Sequence, residues 1–225
     1  MSFLAIDLSL DNFVVIIGNA KEISFSKTIE LNHNRNRILF DTLCYLQAKK
    51  ILNFKKLQTV YSTIGPGNFN GIRMSISTIK AFSLAHNDIN IAGVSSLDAL
   101  SRSTPNLKKN ICTAIKSSPG YLYVQWFDKF YRPITKIEVL NIEKKIKLPI
   151  YYENFIVVGD GSEILAEKLK YKFVMYKRNL ITADGLYGSI KNILKNRTYL
   201  KASPLYLKNT NIIKPSLWKT SPVAK

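Results

Sequence analysis

Three stretches of the chain place residues where they can do chemistry. Gly65-Pro66-Gly67-Asn68-Phe69-Asn70-Gly71-Ile72-Arg73 sets three glycines and a proline between an apolar run and a helix-like run. Glycine admits positive φ and close approach, and a helix N-terminus offers unpaired N–H groups and a positive dipole. The stretch therefore reads as a shaped loop feeding a helix, either a tight strand–helix turn or an anion cradle. It is neither a Walker A loop nor a dinucleotide fingerprint, because no Lys-Ser/Thr follows and its third glycine comes too late. Gly159-Asp160-Gly161 reads as a second phosphate turn or as a glycine-flanked helix cap. Asp7-Leu8-Ser9 closes an apolar run. Other chemistries find no support: His33 and His86 are far apart, Cys44 and Cys112 lack CxxC spacing, and no Gly-x-Ser-x-Gly elbow occurs.

Elements that hold these groups follow from periodicity. Strands are expected at 3–6 and 13–17, with extended chain over Ile23, Phe25 and Ile29. A helix at about 37–52 repeats Ile38, Leu39, Leu43 and Leu46, and a second at 72–85 repeats Ile72, Ile76 and Ile79. Strands at 58–63 and 91–94 and a helix ending at Arg102, capped by Ser95 or Ser96, complete the first half. The order β-β-β-α-β-α-β-α joins a meander to parallel crossovers, as in the ribonuclease-H-like half of the actin/hexokinase-type (ASKHA) α/β fold. The second half repeats the pattern: strands at 111–115, 121–127, 134–139, 155–158 and 173–176, helices at 163–169 and 186–194, and an irregular tail from 201. We expect two domains, 1–104 and a partly degenerate 105–225, joined by the polar Pro105–Asn110. In phosphotransferases of this architecture, an aspartate ending the first strand helps hold metal–nucleotide and a glycine turn follows. Asp7-Leu8-Ser9 has no such glycine and Leu8 obstructs phosphate, so Asp7 reads as a strand-end carboxylate bonding turn amides.

At 225 residues, 46% of them hydrophobic, the chain can bury a core. No apolar run suffices to span a membrane, no signal peptide is evident, and two isolated cysteines fit a reduced, cytoplasmic setting. The net charge of +18 admits two readings, a solvated lysine-rich surface or a basic patch for a polyanion such as RNA. The lysines are scattered, with pairs such as Lys108-Lys109, and no aromatic stacking platform stands beside them in sequence. The isolated chain is therefore expected to bind polyanions weakly.

The loop at 65–73 resembles the Gly-Pro-Gly-Ser-Phe-Thr-Gly-Leu/Ile-Arg signature of the TsaB (YeaZ) family, with Asn68 for Ser and Asn70 for Thr. Leu4-Ala-Ile-Asp-Leu-Ser9, Ile91–Leu100, Gly159-Asp-Gly161 and Pro204-Leu-Tyr-Leu-Lys208 match further family landmarks. His33-Asn34-Arg35 and Lys116-Ser117-Ser118 depart from the family's His-Ser-Glu and Asp-Ala-Arg. The resemblance implies a non-catalytic subunit without cofactor or metal. It would pair with a TsaD-like catalytic subunit and a TsaE-like ATPase, meet tRNA only through that complex, and form a homodimer when isolated. The partner surface is expected on the first two helices, at Leu39, Leu43, Leu46, Arg73, Ile76 and Ile79, beside the signature loop Gly65–Gly71. Two other readings stay open: a small-molecule kinase or acyltransferase using Asp7 and Asp160, and a stand-alone basic RNA-binding protein.

Overall fold

Alternation along the first strand feeds two separate cores. In the computed structural model, which describes residues 2–31, 35–105, 108–144, 155–169, 174–175 and 179–207, β1 (Ser2–Asp7) sends Phe3 and Ala5 to one apolar cluster and Leu4 and Ile6 to another. A strand apolar on both faces belongs mid-sheet, under cover on both sides. The meander continues through β2 (Asn12–Asn19) and β3 (Ile23–Glu30), and α1 (Arg35–Ala48), β4 (Leu57–Gly65), α2 (Phe69–Ala85), β5 (Asn90–Ser95) and α3 (Ser96–Arg102) follow. The sheet order is β3-β2-β1-β4-β5, with β1 antiparallel to β2 and parallel to β4.

The second sheet is built from β6 (Asn110–Lys116), β7 (Tyr121–Phe127), β8 (Glu138–Asn141), β9 (Phe155–Val158) and β10 (Val174–Met175), with α4 (Ser162–Leu169) and α5 (Ala183–Asn196). Read from its outer edge its order is β8-β7-β6-β9-β10, with β6 antiparallel to β7 and parallel to β9. This repeats the first sheet strand for strand, which is the tandem ribonuclease-H-like arrangement of the actin/hexokinase-type fold. Boundaries shift where capping intervenes. Asn68 starts α2 at Phe69, accepting from Gly71 N–H, and Thr182 starts α5 at Ala183, accepting from Gly185 N–H. The strand expected at 134–139 begins at Glu138. Before it only a bridge from Phe127 to Pro133 forms, since Pro133 has no N–H to give a ladder. The tail over 201–207 is irregular, as expected, and residues from 208 lie outside the described ones.

Helices separate and flank the sheets. Leu39 and Leu46 of α1 and Ile79 of α2 cover the outer face of the first sheet, and Leu165 and Leu169 of α4 cover that of the second. Between the sheets lie α3 and α5, whose Leu97, Leu100, Leu186, Ile190 and Ile193 share one cluster with Val14 and Ile16 of the first sheet and Ile115 and Ile156 of the second. Tyr187 stacks on Phe3 at 6.1 Å, and its hydroxyl donates to Asn19 O at 3.2 Å. No helix among the described residues is long and apolar enough to cross a membrane.

Because one core serves both sheets, Leu97→Ala, at a position with no exposure, is expected to destabilise the whole molecule by about 2–5 kcal/mol. Thermal melts followed by circular dichroism and by tryptophan fluorescence are expected to shift together. A separate transition for either sheet would contradict the shared core.

Candidate functional site

The two sheets place three turns around one cleft of roughly 580 Å³. Ser9, Asp11, Asn68 and Phe69 line it from the first half, Lys116, Ser118 and Asp160 from the second, and Leu205 and Tyr206 from the segment after α5. That segment returns to the first half, where Gly93 N–H donates to Leu200 O at 2.8 Å and Leu205 N–H donates to Ile64 O at 2.8 Å.

Asp7 does not line this cleft. It is fully buried, and its Oδ1 accepts from Ser9 N–H at 2.9 Å, Ser9 Oγ–H at 2.6 Å and Thr63 Oγ1–H at 2.6 Å. These bonds fold the β1–β2 turn back on the strand and tie β1 to β4. Leu8 and Leu10 are buried on opposite sides of the sheet. A turn packed in this way presents side chains to the core where a phosphate turn would present bare backbone.

The signature loop lies against that turn. Gly67 has φ +149°, and a Cβ there would sit 2.2 Å from Ser9 O; one on Gly71 would sit 2.0 Å from Leu8 O. Asn68 N–H donates to Ser9 O at 2.7 Å, and Asn68 Oδ1 accepts from Gly71 N–H at 2.9 Å. The loop's glycines thus let the start of α2 dock on the carbonyls of residues 8 and 9. One of its free amides is already capped, so this geometry favours the strand–helix turn over the anion cradle. Pro66 is buried, while Phe69 and Asn70 are exposed. Arg73 is exposed, with its guanidinium 4.7 Å from the Phe69 ring centre, and the Tyr206 ring centre lies 6.4 Å from that of Phe69.

The second glycine turn uses the same device. Gly159 has φ +107°, and a Cβ there would meet Ala114 O at 2.1 Å, while Gly161 N–H donates to Ala114 O at 3.0 Å. Asp160 projects at the cleft, with Oδ1 accepting from Lys116 N–H at 2.8 Å. Burial pushes its carboxyl above the ordinary range, Asp11 adds to the rise, and the Lys116 amide and ammonium pull the other way.

The residues expected at a partner face fall into two groups, buried ones and ones that line a surface groove. Leu46, Ile76 and Ile79 are buried in the chain's own core, and Leu39, also buried, reaches the surface only as part of the floor of a groove between α1 and α2. A helix lying on a sheet must first bury its most aliphatic stripe, and these residues form it. The surface beside them is a groove of about 540 Å³ between α1 and α2, lined by residues including Phe40, Leu43, Cys44, Met74, Ser77 and Ala81. Leu43, half-buried, belongs to it; Arg73 does not. Phe54 and Phe82, 5.1 Å apart, close one end, and His86 stacks on Phe54 at 4.9 Å, which makes it a packing residue. His33 lies outside the described residues. Phe40 and Leu84 expose 69% and 83% of their surface on these helices, the signal that periodicity alone did not give.

The chain is similar to proteins of one family in sequence and in fold. A family model described as TsaD, tRNA N6-adenosine threonylcarbamoyltransferase, matches residues 32–183. The tRNA threonylcarbamoyladenosine biosynthesis protein TsaB of Buchnera aphidicola subsp. Schizaphis graminum (strain Sg) is 30% identical over 203 residues, 85% of this chain and 90% of that protein. Two solved Pseudomonas aeruginosa structures, YeaZ and a protein with similarity to peptidase YeaZ, are each 17% identical. They superpose with TM-scores of 0.77 and 0.79, covering 92% of this chain and 99% of theirs. At that identity they establish the fold.

Two expectations follow from the turns. Gly71→Ala forces a methyl against the Leu8 carbonyl and is expected to cost about 1–3 kcal/mol in chemical denaturation, whereas exposed Asn70→Ala stays within about 0.5 kcal/mol. For Asp160 the folded carboxyl titrates higher than the unfolded one, so the folded state holds its proton longer. Its contribution to stability is thus greatest below the unfolded pKa and is lost as pH rises through the folded one. Asp160→Asn keeps the acceptor for Lys116 N–H and is expected to flatten that acidic-range dependence in melts at successive pH values.

Proposed function

The chain belongs to the family that the TsaD model describes and, within it, to the proteins named TsaB, and on that premise we propose that it is a non-catalytic subunit in threonylcarbamoyladenosine biosynthesis. It pairs with a TsaD-like catalytic subunit and holds that partner active while the partner modifies the adenosine beside the tRNA anticodon. A TsaE-like ATPase joins the pair, and the complex works in the cytoplasm, where tRNA is. In the absence of the partner the same surface supports a homodimer.

The observation that carries this reading is the groove across α1 and α2. Small side chains at Cys44, Ser77, Thr78 and Ala81 let a partner helix approach, and Phe40, Leu43 and Met74 supply apolar area at about 25 cal/mol per Å². The site for chemistry is weak by comparison. Asp7 is engaged by Ser9 of its own turn and by Thr63 of β4, and Leu8 of that turn is buried in the core. The kinase or acyltransferase alternative requires Asp7 to face a ligand, which this geometry disfavours.

Ala81→Glu places a charge in the groove without touching the core. It is expected to leave the melting temperature nearly unchanged and to weaken TsaD binding by about 3 kcal/mol, roughly a hundredfold in Kd. Co-purification and calorimetry with the TsaD-like chain of the same host measure this. Wild-type protein that fails to pair with that chain would remove the reading, as would magnesium-dependent ATP binding abolished by Asp7→Ala.

A further inference from the structure

The turn after β7 is held more firmly than its exposure requires. Asp128 Oδ1 accepts from the N–H groups of Phe130 at 2.8 Å and Arg132 at 2.9 Å, and Asp128 Oδ2 pairs with Arg132 Nε at 2.7 Å. Tyr131 N–H donates to Asp128 O at 2.8 Å, Asp128 N–H donates to Arg132 O at 2.9 Å, and Lys129 N–H donates to Asn110 Oδ1 at 3.1 Å. From α3, Arg102 donates to Tyr131 O at 3.2 Å and lies 5.4 Å from the Tyr131 ring centre. Tyr131 itself sits at φ 61°, a conformation that a bulky residue keeps only where its surroundings impose it.

What this rigid turn displays is Phe130, 61% exposed. Lys129 Nζ lies 5.3 Å and Arg132 Cζ 5.2 Å from its ring centre. Lys108 and Lys109 line the same depression of about 340 Å³. Pairing of Ile111 with Phe127 brings the lysine pair up to the turn, although it lies far away in sequence. The expectation that no aromatic platform stands beside the lysines therefore fails here, because the β6–β7 ladder supplies one. The one carboxylate in the depression is turned inward. Burial raises its pKa, but the hydrogen bonds from Arg132 and Phe130 more than offset that, so Asp128 titrates below its ordinary value and stays ionised as part of the turn.

We propose that the Asp128–Arg132 turn is an RNA contact, in which an unpaired base stacks on Phe130 and adjoining phosphates meet Lys108 and Lys109. An exposed ring beside cations is the chemistry of single-stranded nucleic acid binding, where bases stack and the backbone tracks positive charge. A purely apolar partner would have to desolvate the cations, and a purely acidic one would leave the ring uncovered. The inference deepens the proposed role, on which it rests only for the identity of the RNA, a tRNA whose anticodon loop offers unstacked bases.

The test is fluorescence anisotropy of the full-length protein with a short single-stranded RNA, a duplex of the same length and a glutamate-rich peptide, across a salt series. The single strand is expected to bind best. Phe130→Ala is expected to weaken it about tenfold with unchanged salt dependence, and Phe130→Trp to preserve it. Lys108→Gln with Lys109→Gln is expected to lower the salt slope by about 1.4, at about 0.7 per phosphate contact. Absence of single-strand binding at low salt, equal binding of duplex or acidic peptide, or a Phe130→Ala protein that binds like wild type would each overturn the proposal. In the assembled complex, Phe130→Ala is expected to lower tRNA modification while co-purification with the TsaD-like chain is retained. A wild-type protein that binds RNA but never pairs removes the proposed function and leaves this contact standing; intact pairing with unaltered modification removes the contact alone.

Discussion

The contact between α3 and α5 fixes where everything else lies. A Cβ on Gly185 would fall 2.1 Å from Ser103 Oγ and 2.6 Å from Ala99 O, so no side chain fits between the two helices there. Ser103 Oγ–H donates to Ala99 O at 2.8 Å, and the same oxygen accepts from Thr182 N–H at 2.9 Å, just before α5 begins. Close helix approach of this kind sets a distance that larger residues would widen, and close-packed interiors transmit such changes. Since both sheets pack on this pair, the helix spacing sets the separation of the sheets and with it the width of the cleft between them. Asn12 Nδ2–H, donating to Ile181 O at 2.7 Å, extends the same control to the start of β2.

Around that cleft, the chain keeps the loops of a phosphate-handling fold and uses them to pack. Each glycine turn is pressed on a carbonyl of a neighbouring strand or turn: Gly67 and Gly71 on residues 9 and 8, Gly159 on Ala114. Glycine is required because backbone meets backbone, with no ligand in the argument. Asp7, the one acid placed as a phosphotransferase would place it, joins β1 to β4 through Thr63. The apolar groove on α1 and α2 and the rigid Phe130 turn are lined by residues other than those of the cleft.

Much of the fold was legible because strands such as β1, β2 and β9 are buried on both faces and read as unbroken apolar runs, and because Ser95 caps its helix in a recognisable way. The groove proposed as a partner surface was not. Periodicity finds the stripe that a helix buries most strongly, and for Leu46, Ile76 and Ile79 that stripe belongs to the sheet beneath. The exposed groove mixes Phe40 with Cys44, Ser77 and Ala81, and only the relative placement of two helices makes it continuous. The signature loop was readable as a shaped loop, but what shaped it, the carbonyls of Leu8 and Ser9, lies more than fifty residues earlier. The basic turn escaped for the same reason, since strand pairing alone joins Lys108-Lys109 to Phe130.

The late position of α5 has a consequence during synthesis. The first sheet is complete in sequence at Ser95, yet the helix that shields Phe3, Val14 and Ile16 ends at Asn196. At ordinary elongation rates of about 5–20 residues per second, the interval between those points lasts roughly 5–20 s. Throughout that time the nascent first half has α3 but not α5 over that apolar face and cannot close its core. A chain halted within that interval therefore exposes apolar surface that the finished protein buries.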